Sequence, residues 1–289
     1  MTQMNHVYLN GQYLPLSEAR VPVLDRGFIF GDGVYEVIPV YSRQPFRLRE
    51  HLQRLQHSLD AIRLANPHGL AEWSALVQPI IAQAEYEDQG IYLQVTRGTA
   101  PRDQAFPEGV TPTVFIMAMP LPAPSPETIE HGVAAITAVD DRWQHCDIKS
   151  TSLLANVLLR QRSVDAGCAE TILLRDGYLS EGSASNIFIV QDGVLLAPPK
   201  SNLILPGVTY DVVIELADQL GLPTSIRPIP ELELRSADEI WLTSSTKEVT
   251  AVTHLDAQAI GAGTPGPVYR QLHAAYQAYK HHTMRGHGR

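Results

Sequence analysis

The chain has 289 residues, 44% of them hydrophobic and 18% charged, with a formal net charge of −9. That length and apolar content provide for a sizeable core in one large or two ordinary domains and exclude a disordered chain, while the acidic balance speaks against nonspecific binding to nucleic acid or an anionic membrane. Cys146 and Cys168 are too few for a disulfide framework, no apolar run is long enough to span a bilayer, and the first six residues lack the features of a signal peptide, so a cytoplasmic protein is predicted.

In chain order, Val7–Leu9 and Gln12–Leu16 around Asn10-Gly11 predict a hairpin. A glycine-rich stretch, Asp25 to Gly33, precedes an alternating strand over 34–40. Leu48, Leu52, Leu55, Leu59 and Ile62 recur at helical spacing, predicting a helix over 48–64, and a second helix over 70–85 is bent or split by Pro79. Strands at 91–96 and 113–118 flank a polar loop. Four alternating prolines, Pro120 to Pro126, predict an extended linker, which divides a small N-terminal domain (1–119) from a larger C-terminal one (128–289) across residues 120–127. The second half reads as a strand at 134–139, a helix over 152–166, and strands at 171–174, 187–190 and 194–197. A loop to Gly207, a helix from Val208 to Leu220 stopped by Gly221, a strand ending at Leu242, a helix over 267–281 and a frayed tail from Met284 follow. Strands often succeed strands directly, so the class is α+β, mixed α/β, with largely antiparallel or mixed sheets.

Lysine is scarce: Lys149, Lys200, Lys247 and Lys280 are the only ones. Lys149 falls between the apolar run 132–139 and an amphipathic helix, a junction where lost hydration lowers an amine from about 10.4 and makes it nucleophilic. Such a lysine forms a Schiff base with a carbonyl of a substrate or of pyridoxal phosphate; a snorkelling lysine covering apolar surface is the structural alternative. Phosphate-loop, H-E-x-x-H and C-x-x-C motifs are missing, Gly31-Asp32-Gly33 does not complete the dinucleotide pattern, and the scattered histidines (His51, His57, His68, His131, His145) show no metal spacing and read as mostly surface residues. No metal is expected. A pyridoxal phosphate site needs an amine, an anion at the pyridine nitrogen and donors for the phosphate. Lys149 supplies the first. Glu181, read as lying in a turn between two apolar strands, is a candidate for the second. Gly207-Val208-Thr209 opens a helix with free amides, Thr243 to Thr246 offers hydroxyls after a strand, and Arg54 adjoins the apolar stripe of its helix.

Six motifs in order give the chain a family resemblance: Asp25-Arg-Gly27 with Phe30 to Glu36, Gln94 to Arg102, Cys146 to Ser150, Glu181 to Phe188, Leu205 to Thr209, and Thr243 to Thr246. It resembles the fold-type IV pyridoxal phosphate-dependent aminotransferases over nearly its whole length, with their D-amino acid branch the nearest. The resemblance implies a two-domain fold with the cofactor in the cleft between the domains, and a homodimer. It implies ping-pong transfer from a D-amino acid such as D-alanine to 2-oxoglutarate through pyridoxamine phosphate. Lys149 would carry the cofactor and shuttle the proton, Glu181 would pair with the pyridine nitrogen, and Arg54, Val208, Thr209, Ser244 and Ser245 would hold the phosphate. Leu205 would pack on the ring and Tyr35 would line the substrate pocket. Arg102 would reach the substrate carboxylate across the dimer, with Gln104 standing where the branch has histidine. Ala184 and Tyr210 also depart from the family pattern. Branched-chain L-amino acid and (R)-amine transaminases and 4-amino-4-deoxychorismate lyase share the fold and are the alternatives, together with a non-catalytic binder that kept it.

Overall fold

The computed structural model describes residues 6–285, the side chains of Met284 and Arg285 excepted. The expectation of a frayed tail therefore falls mostly outside the described residues, as does most of the N-terminal hexapeptide. The chain separates into two compact units: residues up to Pro122 together with Ile148–Leu153, and Ala123–Asp147 together with Leu154–Thr283.

The first unit runs β1 (His6–Leu9), β2 (Gln12–Pro15), α1 (Arg26–Phe30), β3 (Gly33–Tyr41), β4 (Gln44–Pro45), α2 (Leu48–Ala61), α3 (Leu70–Gln83), β5 (Gln89–Thr96) and β6 (Thr113–Pro120). Its six strands, ordered β2-β1-β6-β5-β3-β4, pair antiparallel throughout. Strand alternation sends Val34, Ile38, Leu93, Val95, Val114 and Ile116 into one core, where Leu52, Leu55 and Leu59 of α2 and Trp73, Val77 and Ile80 of α3 meet them. Pro79 sits inside α3 without splitting it; burial of Trp73, Val77, Ile80 and Ile81 outweighs a lost backbone bond and ring clash worth about 3 kcal/mol. The five-residue α1 was not apparent from periodicity. Asp25 caps it, accepting from the Gly27 amide at 2.8 Å, and Gly31 ends it in the left-handed region at φ 65°.

The second unit runs α4 (Pro126–His131), β7 (Val133–Val139), α5 (Leu154–Asp165), β8 (Glu170–Arg175), β9 (Tyr178–Gly182), β10 (Asn186–Gln191), β11 (Val194–Ala197), α6 (Val208–Gln219), β12 (Thr224–Ile226), α7 (Glu231–Arg235), β13 (Glu239–Ser244), β14 (Glu248–Leu255), β15 (Gln258–Ala259) and α8 (Pro267–Lys280). Its nine-stranded sheet is mixed: β7 lies parallel to both β14 and β8, β12 parallel to β11, and the other pairs are antiparallel. Ile187, Ile189, Ile240 and Leu242 enter a core with Ile229 and Leu234 on one face. On the opposite face Phe188 meets Tyr210 of α6, with ring centroids 4.8 Å apart, and Trp241 meets Tyr269 of α8 at 6.2 Å. Of the proline run, Pro120 ends β6, residues 121–125 form no regular element, and Pro126 opens α4 under a Ser125 cap.

Three sequence expectations change. Lys149, assigned to the C-terminal domain, groups with the first unit, because its backbone is bonded there rather than to β7 or α5. Glu181 lies on strand β9, not in the turn; the turn begins at Ser183. His51 is fully buried rather than on the surface.

Candidate active site

Lys149 sits in an irregular segment between β7 and α5, bonded strand-like to the start of β3. The Tyr35 amide donates to the Lys149 carbonyl at 2.9 Å, Ser150 bridges Val34, and the Thr151 amide donates to the Gly33 carbonyl at 2.9 Å. The Lys149 amide donates to Ser58 Oγ of α2 at 3.1 Å, and Ile148 packs on the first unit's core. Gly31 belongs to the same construction: an added Cβ would lie 2.5 Å from Ser152 Oγ, at a backbone conformation that already favours glycine. The half-buried Lys149 amine lies 4.1 Å from the centroid of the Tyr35 ring, which itself stacks on Tyr92 at 5.6 Å. That is a cation over an aromatic wall.

Arg54 points inward. Its Nε and Nη2 donate to Glu36 Oε1 and Oε2 at 2.7 and 2.8 Å, and His51 Nδ1 lies 2.8 Å from Oε2. Glu36 has no exposed surface. Burial pushes its carboxyl up, but Arg54 and His51 outweigh burial and bring it down to about 2. Burial also holds the His51 imidazole below its ordinary value, and its Nε2 is enclosed without a partner.

In the second unit Glu181 is buried within a ring of donors. Arg142 Nη1 donates to Oε1 at 2.7 Å, while the Leu205 amide and Asn186 Nδ2 donate to Oε2 at 3.1 and 3.3 Å. Burial is the largest effect and raises the carboxyl to about 7; Arg142 and the Leu205 amide pull against it. Arg142 cannot pull further because its Nε and Nη2 are committed to Asp140, at 2.8 and 2.9 Å. Asp140 comes down to about 2: burial raises it, but Arg142, Arg175 and the Ser180 hydroxyl lower it more. Asn186 also donates to the Leu205 carbonyl at 2.8 Å, and its Oδ1 would be 2.1 Å from a Cβ at Gly207. This close approach seats the N-terminus of α6 against β10. Val208 and Thr209 open α6, and no side chain caps it. Ser244 ends β13 and Ser245 begins the turn to β14; both are half-buried, and Thr243 Oγ1 beside them is enclosed without a partner.

Arg102 and Gln104 lie exposed on the loop after β5, the Arg102 guanidinium 5.4 Å from the Phe30 ring centroid. The structure thus brings Lys149, Tyr35 and Arg54 into one unit with Arg102 and Gln104, and Glu181, Leu205, Val208, Thr209, Ser244 and Ser245 into the other. Glu36, Asp140 and Arg142 were missed as site residues. Glu36 stood inside a motif on an alternating strand, which puts it on the inward face; nothing in local pattern marks Arg142.

Each unit carries groups of the kinds that pyridoxal phosphate takes: the first a primary amine beside an aromatic wall, the second a buried carboxylate, uncapped helix amides and an unpartnered hydroxyl beside two serines. Among the described residues no group of three or more His, Cys, Asp or Glu is placed to hold a metal ion, and no helix is long and apolar enough to cross a membrane.

The amino-transferase class IV family profile matches residues 33–255. The chain is 41% identical to the D-alanine aminotransferase of Bacillus licheniformis over 271 residues, 94% of this chain and 95% of that protein. It is 37% identical to that of Staphylococcus epidermidis, over 96% of this chain and 98% of the other. The solved branched-chain amino acid aminotransferase of Escherichia coli superposes with a TM-score of 0.89 at 28% identity, covering 95% of this chain and 94% of that one. The branched-chain amino acid aminotransferase of T.th., solved with pyridoxamine 5′-phosphate, gives 0.88 at 28%, covering 96% and 94%.

Proposed function

The chain belongs to the class IV aminotransferases, and on that premise we propose that it uses pyridoxal 5′-phosphate to move the amino group of a D-amino acid of the D-alanine type to a 2-oxo acid such as 2-oxoglutarate. The observation that carries the donor class is the identity gradient: 41% to a D-alanine aminotransferase over nearly the full length, against 28% to branched-chain enzymes of the same fold. A branched-chain L-amino acid transaminase is the second reading, favoured by the solved structures.

When bound, the cofactor supplies an aldehyde for an amine and a ring that accepts electrons from the substrate Cα. Lys149 is the residue whose Nζ would hold the cofactor aldehyde and would carry the substrate Cα proton. Glu181 would pair with the protonated pyridine nitrogen, a second cation for a carboxylate whose charged form burial disfavours. Arg54, the Val208 and Thr209 amides, Ser244 and Ser245 hold the phosphate, with Glu36 and His51 orienting Arg54. Leu205 packs on the ring and Tyr35 lines the substrate pocket. Arg102 takes the substrate carboxylate with its planar fork, aided by Gln104. Both are exposed in the single chain, which supports their serving a second copy in a homodimer. The exposed apolar residues Leu154, Val157 and Leu158 of α5 also support a second copy. We place the enzyme in the cytoplasm on its cysteine usage.

The test is pyruvate formation from D-alanine and 2-oxoglutarate against keto-acid formation from L-leucine. D-Alanine is expected to react and Lys149→Ala to abolish both turnover and the visible absorption of bound cofactor. Arg102→Ala should raise KM for D-alanine about tenfold or more with cofactor binding intact. Turnover of L-leucine alone overturns the donor class, and full turnover by Lys149→Ala overturns the site.

A further inference from the structure

Arg26 is the first residue of α1, with a side chain 4% exposed, yet it belongs to no core. Its guanidinium instead gathers backbone. Nη1 donates to the carbonyls of Asp103 at 2.5 Å and Ala105 at 3.2 Å, and Nη2 to that of Gln104 at 3.3 Å. Nε donates to Asp32 Oδ2 at 2.7 Å. Three successive carbonyls of an otherwise exposed loop are thereby turned inward onto one cation. The same guanidinium lies 4.9 Å from the Phe30 ring centroid, the ring on which Arg102 rests. Asp32 ties in a second arginine: Arg97 Nε and Nη2 donate to its two oxygens at 2.8 and 3.0 Å, and Arg97 lies 3.8 Å over the ring of Phe106. The loop is thus gripped at its backbone by Arg26 and at Phe106 by Arg97, with Asp32 between.

We propose that Arg26 is a positioning residue for the substrate carboxylate: by fixing the carbonyls of 103–105 it sets where Arg102 and Gln104 stand. This rests on the reading of Arg102 as the carboxylate-binding group. The task calls for arginine, because one planar fork directs donors to a carboxylate and three carbonyls at once; a lysine ammonium offers three donors from a single point and reaches only a subset. Small errors in a positioned charge lower substrate binding steeply, while groups that handle the proton are untouched.

The experiment compares wild type, Arg26→Lys, Arg102→Ala and the double variant, all loaded with pyridoxal phosphate. Steady-state kinetics with D-alanine at saturating 2-oxoglutarate are read alongside amide hydrogen exchange over residues 99–111. Arg26→Lys is expected to raise KM for D-alanine about tenfold with kcat within about threefold, to speed exchange in that segment alone, and to leave the cofactor spectrum and affinity unchanged. In the double variant KM should be no higher than in Arg102→Ala, since the two act through one contact. An unchanged KM in Arg26→Lys while Arg102→Ala raises it, or multiplicative effects in the double variant, overturns the proposal. An unchanged KM in Arg102→Ala overturns the underlying reading instead, and the exchange measurement then decides separately whether Arg26 holds the loop. If Arg26→Lys does not fold, Arg26→Gln, which keeps a single amide donor, carries the same comparison.

Discussion

Replacing Glu181 by Gln isolates a titration that burial creates. Glu181 is 4% exposed and its carboxyl is raised from 4.5 to about 7. Between those values the folded chain keeps a proton that the unfolded chain has released, so stability falls as pH rises through the window. At about 1.36 kcal/mol per pH unit the full cost is roughly 3 kcal/mol, reached above about pH 7. Glu36 and Asp140 act with the opposite sign and elsewhere: both are lowered to about 2, so their stabilisation is complete above about pH 4.5 and is lost only in more acid solution. His51 and His273, both lowered by burial, add stability as pH rises toward 6.5 and so overlap the window. The difference between wild type and Glu181→Gln cancels them. Urea unfolding of the cofactor-free proteins, followed by tryptophan fluorescence from pH 4.5 to 8, should show wild type losing roughly 2–3 kcal/mol relative to the variant. The constant offset from exchanging a carboxylate for a neutral amide beside Arg142 does not affect the slope. A difference that is flat, or that rises with pH, refutes the claim that burial dominates at Glu181.

Glu36→Gln removes a fully buried carboxylate from Arg54 and the equally buried His51, and should lower stability by about 3–5 kcal/mol. It should also weaken reconstitution with pyridoxal phosphate, measured as the cofactor absorbance recovered by apoprotein. Gly31→Ala places a Cβ at φ 65° and against Ser152, two residues beyond Ser150. It should cost about 1–2 kcal/mol in urea unfolding and lower kcat through the displaced Lys149 segment.

Much of the fold was legible because it is written in apolar spacing. The stripe Leu48, Leu52, Leu55, Leu59 became α2, and the alternation over 34–40 became the central part of β3. Asn10-Gly11 made its hairpin, with φ positive at both residues as such a turn demands. What escaped was structure held by polar groups. In α1, five residues with a glycine are too few to show a period, and the element exists because Asp25 caps it and Gly31 closes it. Leu179-Ser180-Glu181-Gly182 reads as a turn on hydropathy, yet it is a buried strand because Ser180 finds Asp140 and Glu181 finds Arg142. A hydropathy pattern treats a charge as evidence of water. It cannot register that a second charge, 39 positions away, will meet it.

The same blindness explains why the site was read as a set of residues and not as pairs. Lys149, Glu181 and Arg54 were named singly, each by its place on an element, whereas the structure shows two of the three as one half of a matched couple. Burying a lone carboxylate or guanidinium costs several kcal/mol, so a core that contains Glu36 must also contain something like Arg54, and one that contains Glu181 must contain something like Arg142. The two couples are not built alike. Arg54 gives both directed nitrogens to Glu36, and the carboxyl falls to about 2. Arg142 gives two to Asp140 and one to Glu181, and that carboxyl stays near 7. A saturated couple holds a side chain still, which suits Arg54 as a fixed anchor for a phosphate. An undersupplied carboxylate gains by meeting another cation, which suits Glu181 as the partner of a protonated ring nitrogen. The division of one guanidinium between two acids therefore sets Glu181 apart from Glu36, and it predicts that Asp140→Asn, by releasing Arg142 to Glu181, lowers the Glu181 carboxyl and flattens the pH dependence of apoprotein stability between about pH 4.5 and 7.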